Sequence, residues 1–319
     1  MLKYILFLLS EDYERTADKY REEVIRKLKQ AGVQAEFIII TSKGTDGLEE
    51  NGNSEETAGL EKTADSARLN ELENIDREHT LIVTDTAFVF DNMHEKGCYV
   101  IAFYHDRNKE ETFSGAKYAV EDLPAVEYSS YQKAFKRLAG IPWDILETER
   151  MTVRETIPED VDDFYRIYKN PSITRYMEDL FPDREKELEY LKAYVEQIYN
   201  FYGFGLWTVI HKESGQVIGR AGLNVRDGYD IPELGFVIDA AYQRQGYAFE
   251  VCSAILKYAG EELDFPKIQA FVDGGNRTSI HLLERLGFAF DSEVELGRHY
   301  HRYIRNRKNN MENKFSKNS

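Results

Sequence analysis

Gln243-Arg244-Gln245-Gly246-Tyr247-Ala248 is the stretch on which the reading of this 319-residue chain turns. It follows an apolar run, Pro232 to Asp239, that reads as a strand. It opens a helix, Gly246 to Glu262, whose stripe is Ala248, Val251, Cys252, Ile255 and Ala259. A glycine in a strand-to-helix turn lets backbone N–H groups approach an anion closely. The helix N-terminus adds unsatisfied donors and the positive end of its dipole. The turn therefore reads as an anion cradle. It is neither a dinucleotide fingerprint nor a P-loop, because it has no further glycines at those spacings and no Gly-Lys-Ser/Thr.

On either side of this turn the pattern is regular. Met151 to Glu155 reads as a strand and Asp160 to Tyr168 as a helix closed by Asn170-Pro171. Arg184 to Tyr202 reads as one amphipathic helix with Leu188, Leu191, Val195, Ile198 and Tyr202 on its buried face. Leu206 to Lys212, Gln216 to Val225 and Pro232 to Asp239 are three successive strands. Lys267 to Val272 is a strand and Arg277 to Leu286 a helix that Asn276 can cap. Phe288 to Leu296 and His299 to Arg305 complete the sheet, and the polar tail from Asn306 reads as frayed.

Taken in order, Glu149-Arg150 with Val153-Arg154-Glu155, Glu233-Leu234-Gly235-Phe236, Gln243-x-x-Gly246-x-Ala248, and Asn276-x-x-Ser279-Ile280 through Leu286-Gly287-Phe288 resemble the GNAT superfamily of acetyl-CoA-dependent N-acetyltransferases. The branch of ribosomal-protein N-terminal acetyltransferases is most similar. The resemblance covers about Ile145 to Arg305. It implies an α+β domain with a splayed mixed sheet, spanning 144–305. It implies that Gln243, Arg244, Gln245, Gly246, Tyr247 and Ala248 hold the coenzyme pyrophosphate through backbone amides. It implies that pantetheine runs along the backbone of Phe236, Val237 and Ile238, that Asn276 contacts the coenzyme arm, and that Ser279 lies near the thioester sulfur.

The reaction so implied needs a base, because an amine is mostly protonated at neutral pH. Glu233 is the candidate base, directly or through water, and Ser279 the candidate acid or sulfur contact. On their own, Glu233 reads equally as an exposed strand residue and Ser279 as a first-turn hydroxyl. Many GNAT enzymes carry a tyrosine one turn after the serine, and Leu283 stands there. The acceptor is expected to be a primary amine: a peptide N-terminus, a lysine or a small amine. The competing reading is a noncatalytic acyl-CoA sensor with a partner-docking first domain. His299 and His301 alternate on one strand and so share a face, but no third ligand is evident and no metal is expected. Tyr199, Tyr202, Phe204 and Trp207 suit a core better than a substrate mouth, and Cys252 reads as packing.

The first 143 residues alternate strand and helix. Tyr4 to Leu9, the strand ending at Ile40, Thr80 to Thr84, and Tyr99 to Tyr104 are strands. Helices end at Gly32 and Gly97, and another runs from about Ser129 to Ala139. This predicts a doubly wound parallel sheet. The acidic stretch near 44–57 reads as a mobile loop, and a short helix is expected around Ser66 to Leu72. This half faintly resembles the haloacid-dehalogenase-like phosphatase fold in degenerate form: Leu8 and Ser10 stand at its two aspartate positions, and leucine cannot form an aspartyl-phosphate. Asp85 and Asp91 stand in its acidic motif. The whole chain carries 41 Lys+Arg against 57 Asp+Glu, a net charge of -16, which disfavours nucleic acid. The apolar run Tyr4 to Leu9 is too short to cross a membrane. Two cysteines, Cys98 and Cys252, rule out a disulfide framework and suit the cytoplasm. A homodimer is compatible with these readings.

Overall fold

The computed structural model describes residues 1–40, 72 and 75–307. The stretch read as a mobile loop, the helix read at 66–72 apart from Leu72, and the tail beyond Arg307 lie outside the described residues. The chain divides into two compact units, the first ending at Ile141 and the second starting at Pro142.

In the first unit, β1 (Tyr4–Ser10), α1 (Glu11–Gln30) and β2 (Gln34–Ile40) form a parallel βαβ unit. Gly32, at φ +80°, turns the chain out of α1. β3 (Thr80–Thr84), α2 (Ala87–Glu95), β4 (Tyr99–Phe103), the two-residue β5 (Ala119–Val120) and α3 (Tyr128–Leu138) follow. All pairings are parallel and the order is β2-β1-β3-β4-β5. β3 is buried along its whole length, and separate apolar clusters cover the two faces of the sheet. That is why its strands read as continuous hydrophobic runs rather than alternating ones.

The second unit is built on an eight-stranded sheet ordered β12-β13-β11-β10-β9-β8-β7-β6. Its strands are β6 (Asp144–Glu147), β7 (Met151–Glu155), β8 (Leu206–His211), β9 (Val217–Asn224), β10 (Glu233–Ile238), β11 (Lys267–Asp273), β12 (Ala289–Glu295) and β13 (His299–Asn306). The edge strand β6, with no clear period of its own, is absent from the sequence reading. α4 (Val161–Tyr168), α5 (Arg184–Tyr194), α6 (Tyr247–Glu261) and α7 (Arg277–Arg285) connect the strands. One apolar cluster packs α6 and α7 on the sheet and another packs α4 and α5 on it.

One local expectation gains detail and another changes. The helix does stop at Tyr168, just before Asn170-Pro171, and the Asn170 side chain then caps a further helical turn, Pro171–Thr174, by accepting from Ser172 N–H. The helix expected to run unbroken from Arg184 to Tyr202 passes through a π-helical turn at Val195–Tyr199. The extra residue per turn rotates the buried face by one position. Tyr199 is therefore buried, while Tyr202, expected inside, is exposed. Among the described residues, no helix is long and apolar enough to cross a membrane.

β9 and β10 approach closely because Gly219 carries no side chain. A Cβ there would lie 2.1 Å from the Val237 carbonyl oxygen, a backbone atom that cannot yield without moving β10. Gly219→Ala is expected to destabilise the second unit by about 1–3 kcal/mol, the range of overpacking costs. Thermal unfolding compared with the parent chain checks this, and an unchanged midpoint contradicts it.

Candidate active site

Only one parallel pair interrupts the antiparallel pattern of the larger sheet: β10 with β11. The two strands pair at a single position, Glu233 with Gln269, and diverge beyond it. Gln269 is fully buried and pins this apex. Its backbone N–H donates to Pro232 O at 2.9 Å and its Nε2 to Ile231 O at 2.5 Å, while its Oε1 accepts from Arg302 Nε at 2.9 Å. Beyond the apex, the wedge between the strands opens into a cavity of about 340 Å³. Gly235, Phe236 and Val237 line one side, Ala270, Phe271 and Val272 the other.

The structure brings five of the expected residues to this cavity. Glu233, Phe236, Val237, Asn276 and Ser279 line it, as does Leu283, whereas Ile238 is buried in the core. Asn276 caps α7 as its spacing suggests, Oδ1 accepting from Ser279 N–H at 3.1 Å. Glu233 is buried, and both its oxygens are taken by Arg226: Nε lies 2.6 Å from Oε2 and Nη2 3.2 Å from Oε1. The carboxylate in turn holds the Arg226 guanidinium above its ordinary pKa. A carboxylate has about four lone-pair sites, so two remain for other donors.

The turn Gln243–Ala248 lies beyond the end of β10 and does not line the cavity. Gln243 Nε2 donates to Ile238 O at 2.9 Å, fastening the turn to the end of the strand. Arg244 and Gly246 adopt left-handed backbone at φ 59° and +87°. No side chain caps the first turn of α6, so its N–H groups stay available. The Tyr247 side chain points away from this role: it is buried, and its hydroxyl lies 3.1 Å from His211 Nε2.

Residues in and behind the cavity wall escaped the sequence reading. Tyr194 accepts from Leu206 N–H at 2.7 Å, fixing a cavity-lining backbone, and burial pushes its phenol up to about 12. Arg220 is buried against the Phe164 ring, 4.6 Å from its centroid, with Nε unpaired. Both sit at strand or helix positions whose period says only that they face inward. Tyr199, Phe204 and Trp207 are core residues, and Cys252 is buried with its thiol pushed up by desolvation.

In the first unit, Leu8 is buried, and Ser10 donates from both N (2.8 Å) and Oγ (2.6 Å) to the Asp85 carboxylate. His105 Nε2 lies 3.1 Å from the same group. Asp91 sits exposed on α2.

Comparison with known proteins bears on the second unit. Residues 150–289 match the family described as acetyltransferase (GNAT) domain. The chain is 27% identical over 154 residues to the Bacillus subtilis protein YkkB, spanning 47% of this chain and 87% of that one. It is 28% identical over 147 residues to the uncharacterized N-acetyltransferase p20 of Bacillus licheniformis, spanning 46% and 82%. A GNAT-family acetyltransferase structure from Bacillus anthracis aligns at TM-score 0.44 and 20% identity, over 50% of this chain and 97% of that one. A ribosomal L7/L12 α-N-protein acetyltransferase in complex with coenzyme A aligns at TM-score 0.45 and 12% identity, over 51% and 98%. Over residues 150–289 the second unit is thus similar to a GNAT acetyltransferase domain, and the chain is an acyltransferase.

The Arg226–Glu233 pair is testable as a unit. Arg226→Met leaves a buried carboxylate unpaired and is expected to destabilise by about 3 kcal/mol. Adding Glu233→Gln recovers part of that loss, giving a coupling of roughly 0.5–3 kcal/mol in a double-mutant cycle by denaturant unfolding. Strictly additive effects contradict the pairing.

Proposed function

We propose that this acyltransferase takes its acetyl group from acetyl-CoA and delivers it to a primary amine. The observation that carries the reading is the single-point pairing of β10 and β11. Two strands that part after one residue pair leave backbone edges facing a cleft, and an extended amide-bearing chain can hydrogen-bond there as a strand would. Pantetheine is such a chain. The uncapped first turn of α6 and the left-handed Gly246 suit the pyrophosphate, so the residues present fit the cosubstrate.

Bound acetyl-CoA supplies the acyl group and a thiolate leaving group. Phe236, Val237 and Ile238 hold the pantetheine arm. Gln243 to Ala248 hold the pyrophosphate through backbone N–H groups. Asn276, already capping α7, faces the coenzyme arm at the cavity wall. Glu233 receives the amine proton on a lone pair that Arg226 leaves free, directly or through one water. Ser279, on the cavity wall, donates to the departing sulfur. Leu283 adds no proton donor, which leaves that role to Ser279. The likeness to ribosomal-protein acetyltransferases makes peptide N-termini one acceptor class to try, beside lysine side chains and small amines.

For the first unit we propose a noncatalytic role in regulation, docking or self-association, read as a degenerate phosphatase-like domain. Its support is chemical: Leu8 offers no nucleophile, and the Ser10 hydroxyl is committed to Asp85.

The decisive experiment combines binding and turnover. Gly246→Asp puts a charge and a side chain into left-handed backbone, where even a Cβ would sit 3.4 Å from Arg150 Nη2. It is expected to abolish coenzyme A binding by calorimetry in a folded chain. Glu233→Gln is expected to keep binding while kcat falls about 10²–10⁴-fold on an amine found by screening, with a smaller loss for Ser279→Ala. Unchanged coenzyme affinity in Gly246→Asp refutes the assignment of the turn. Coincident kcat–pH profiles for parent and Glu233→Gln refute the base.

A further inference from the structure

The hairpin of β12 and β13 brings together what the sequence pattern separates. His299 and His301 share a face of β13, and the antiparallel register sets Glu293 opposite His301 and Glu295 opposite His299. Glu293 Oε2 lies 3.4 Å from His299 Nε2, and Glu293 Oε1 lies 3.8 Å from His301 Nε2. One ligand atom from each of Glu293, His299 and His301 lies within 4.8 Å of the others. Ligands at about 2.0–2.1 Å around a tetrahedral metal stand roughly 3.3–3.4 Å apart. The Glu293–His299 edge already has that length, and the other edges close by small side-chain rotations on an exposed hairpin.

We propose that Glu293, His299 and His301 form a binding site for a divalent transition metal of the zinc class. A second feature points the same way. His299 Nδ1 lies 2.8 Å from Glu295 Oε1. A carboxylate there accepts a hydrogen bond from Nδ1–H, which holds the proton on Nδ1 and leaves the Nε2 lone pair facing Glu293 and His301. This is the carboxylate–histidine arrangement that orients metal-binding imidazoles. Two imidazoles and one carboxylate suit zinc, nickel or cobalt better than calcium or magnesium, which prefer oxygen ligands. Three protein ligands leave a fourth position for water.

The site is coupled to the cavity by backbone. Gly274 lets the His301 ring lie against the turn after β11, since a Cβ there would fall 2.8 Å from His301 Nε2. That turn leads directly to Asn276 and Ser279. Tyr300, between the two histidines and on the opposite face, lines the cavity. A metal here would clamp the hairpin and the turn from outside the cavity.

The test is zinc chloride titrated calorimetrically into the full chain without an affinity tag. One zinc per chain is expected in the parent. His301→Ala and Glu293→Gln are each expected to remove that binding. Glu295→Gln is expected to weaken it by about 10–100-fold, and His281→Ala, an exposed histidine on α7, to leave it unchanged. Cobalt(II) should give a visible spectrum in the parent that both ligand variants lose. The altered residues are exposed or on the hairpin rim, and equal unfolding midpoints confirm that the variants fold. Zinc binding of equal affinity in the parent, His301→Ala and Glu293→Gln overturns the proposal, as does an absence of zinc binding in the parent.

Discussion

Gln269 commits its whole side-chain amide to the one place where β10 and β11 touch. Everything that gives the second unit a cleft depends on that pin. A parallel pair continuing past Glu233 would have closed the sheet and left no cavity. A pair without the apex would have let β11 drift from β10. A buried amide with both ends satisfied is costly to disturb, because either orphaned partner would lose a hydrogen bond without gaining water. Arg302 and the Ile231–Pro232 backbone hold it from both sides, and Arg226 secures Glu233 directly across from it. The opening is therefore built into the strand register rather than induced.

The pin also places the functional groups. Glu233 sits at the apex, the Phe236–Ile238 backbone runs along one wall, and the other wall continues through Val272 to the turn before Asn276. The chain leaving β10 reaches the Gln243–Ala248 turn, tied back to Ile238 by Gln243. One short stretch of sequence thus supplies the base candidate, a wall of the cleft and the turn proposed as the anion cradle. Proximity in sequence sets their relative geometry, and Arg150 braces the turn from a distant strand end, donating from Nη1 to Gln245 O at 3.1 Å and from Nε to Glu250 Oε2 at 2.7 Å.

Much of this was legible without coordinates. The strands from Leu206 to Asp239 and the helix after Gly246 carry clear periods, and glycine with a helix start marks the cradle by local chemistry alone. The parallel order of the first unit follows from its alternation of buried runs and helices. What the sequence could not show are pairings set by strand register, whether between distant segments or across one hairpin. Gln269 against Glu233, Arg226 on the Glu233 carboxylate, and Glu293 beside His299 and His301 are visible only once strands align. The π-turn at Val195–Tyr199 hid for another reason: a single inserted residue shifts the apolar stripe by an amount that a 3.6-residue period absorbs unnoticed. The edge strand β6 lacked any period to read.

Amide hydrogen exchange, followed across the second unit with and without coenzyme A, reads whether the cleft beyond the Glu233–Gln269 apex holds the coenzyme as proposed. Slowed exchange is expected in two places, the Phe236–Ile238 backbone and the first turn of the helix that starts at Tyr247, with little change along β6 and β7. Coenzyme binding that leaves both places unprotected, or that protects a different face of the sheet, would contradict it.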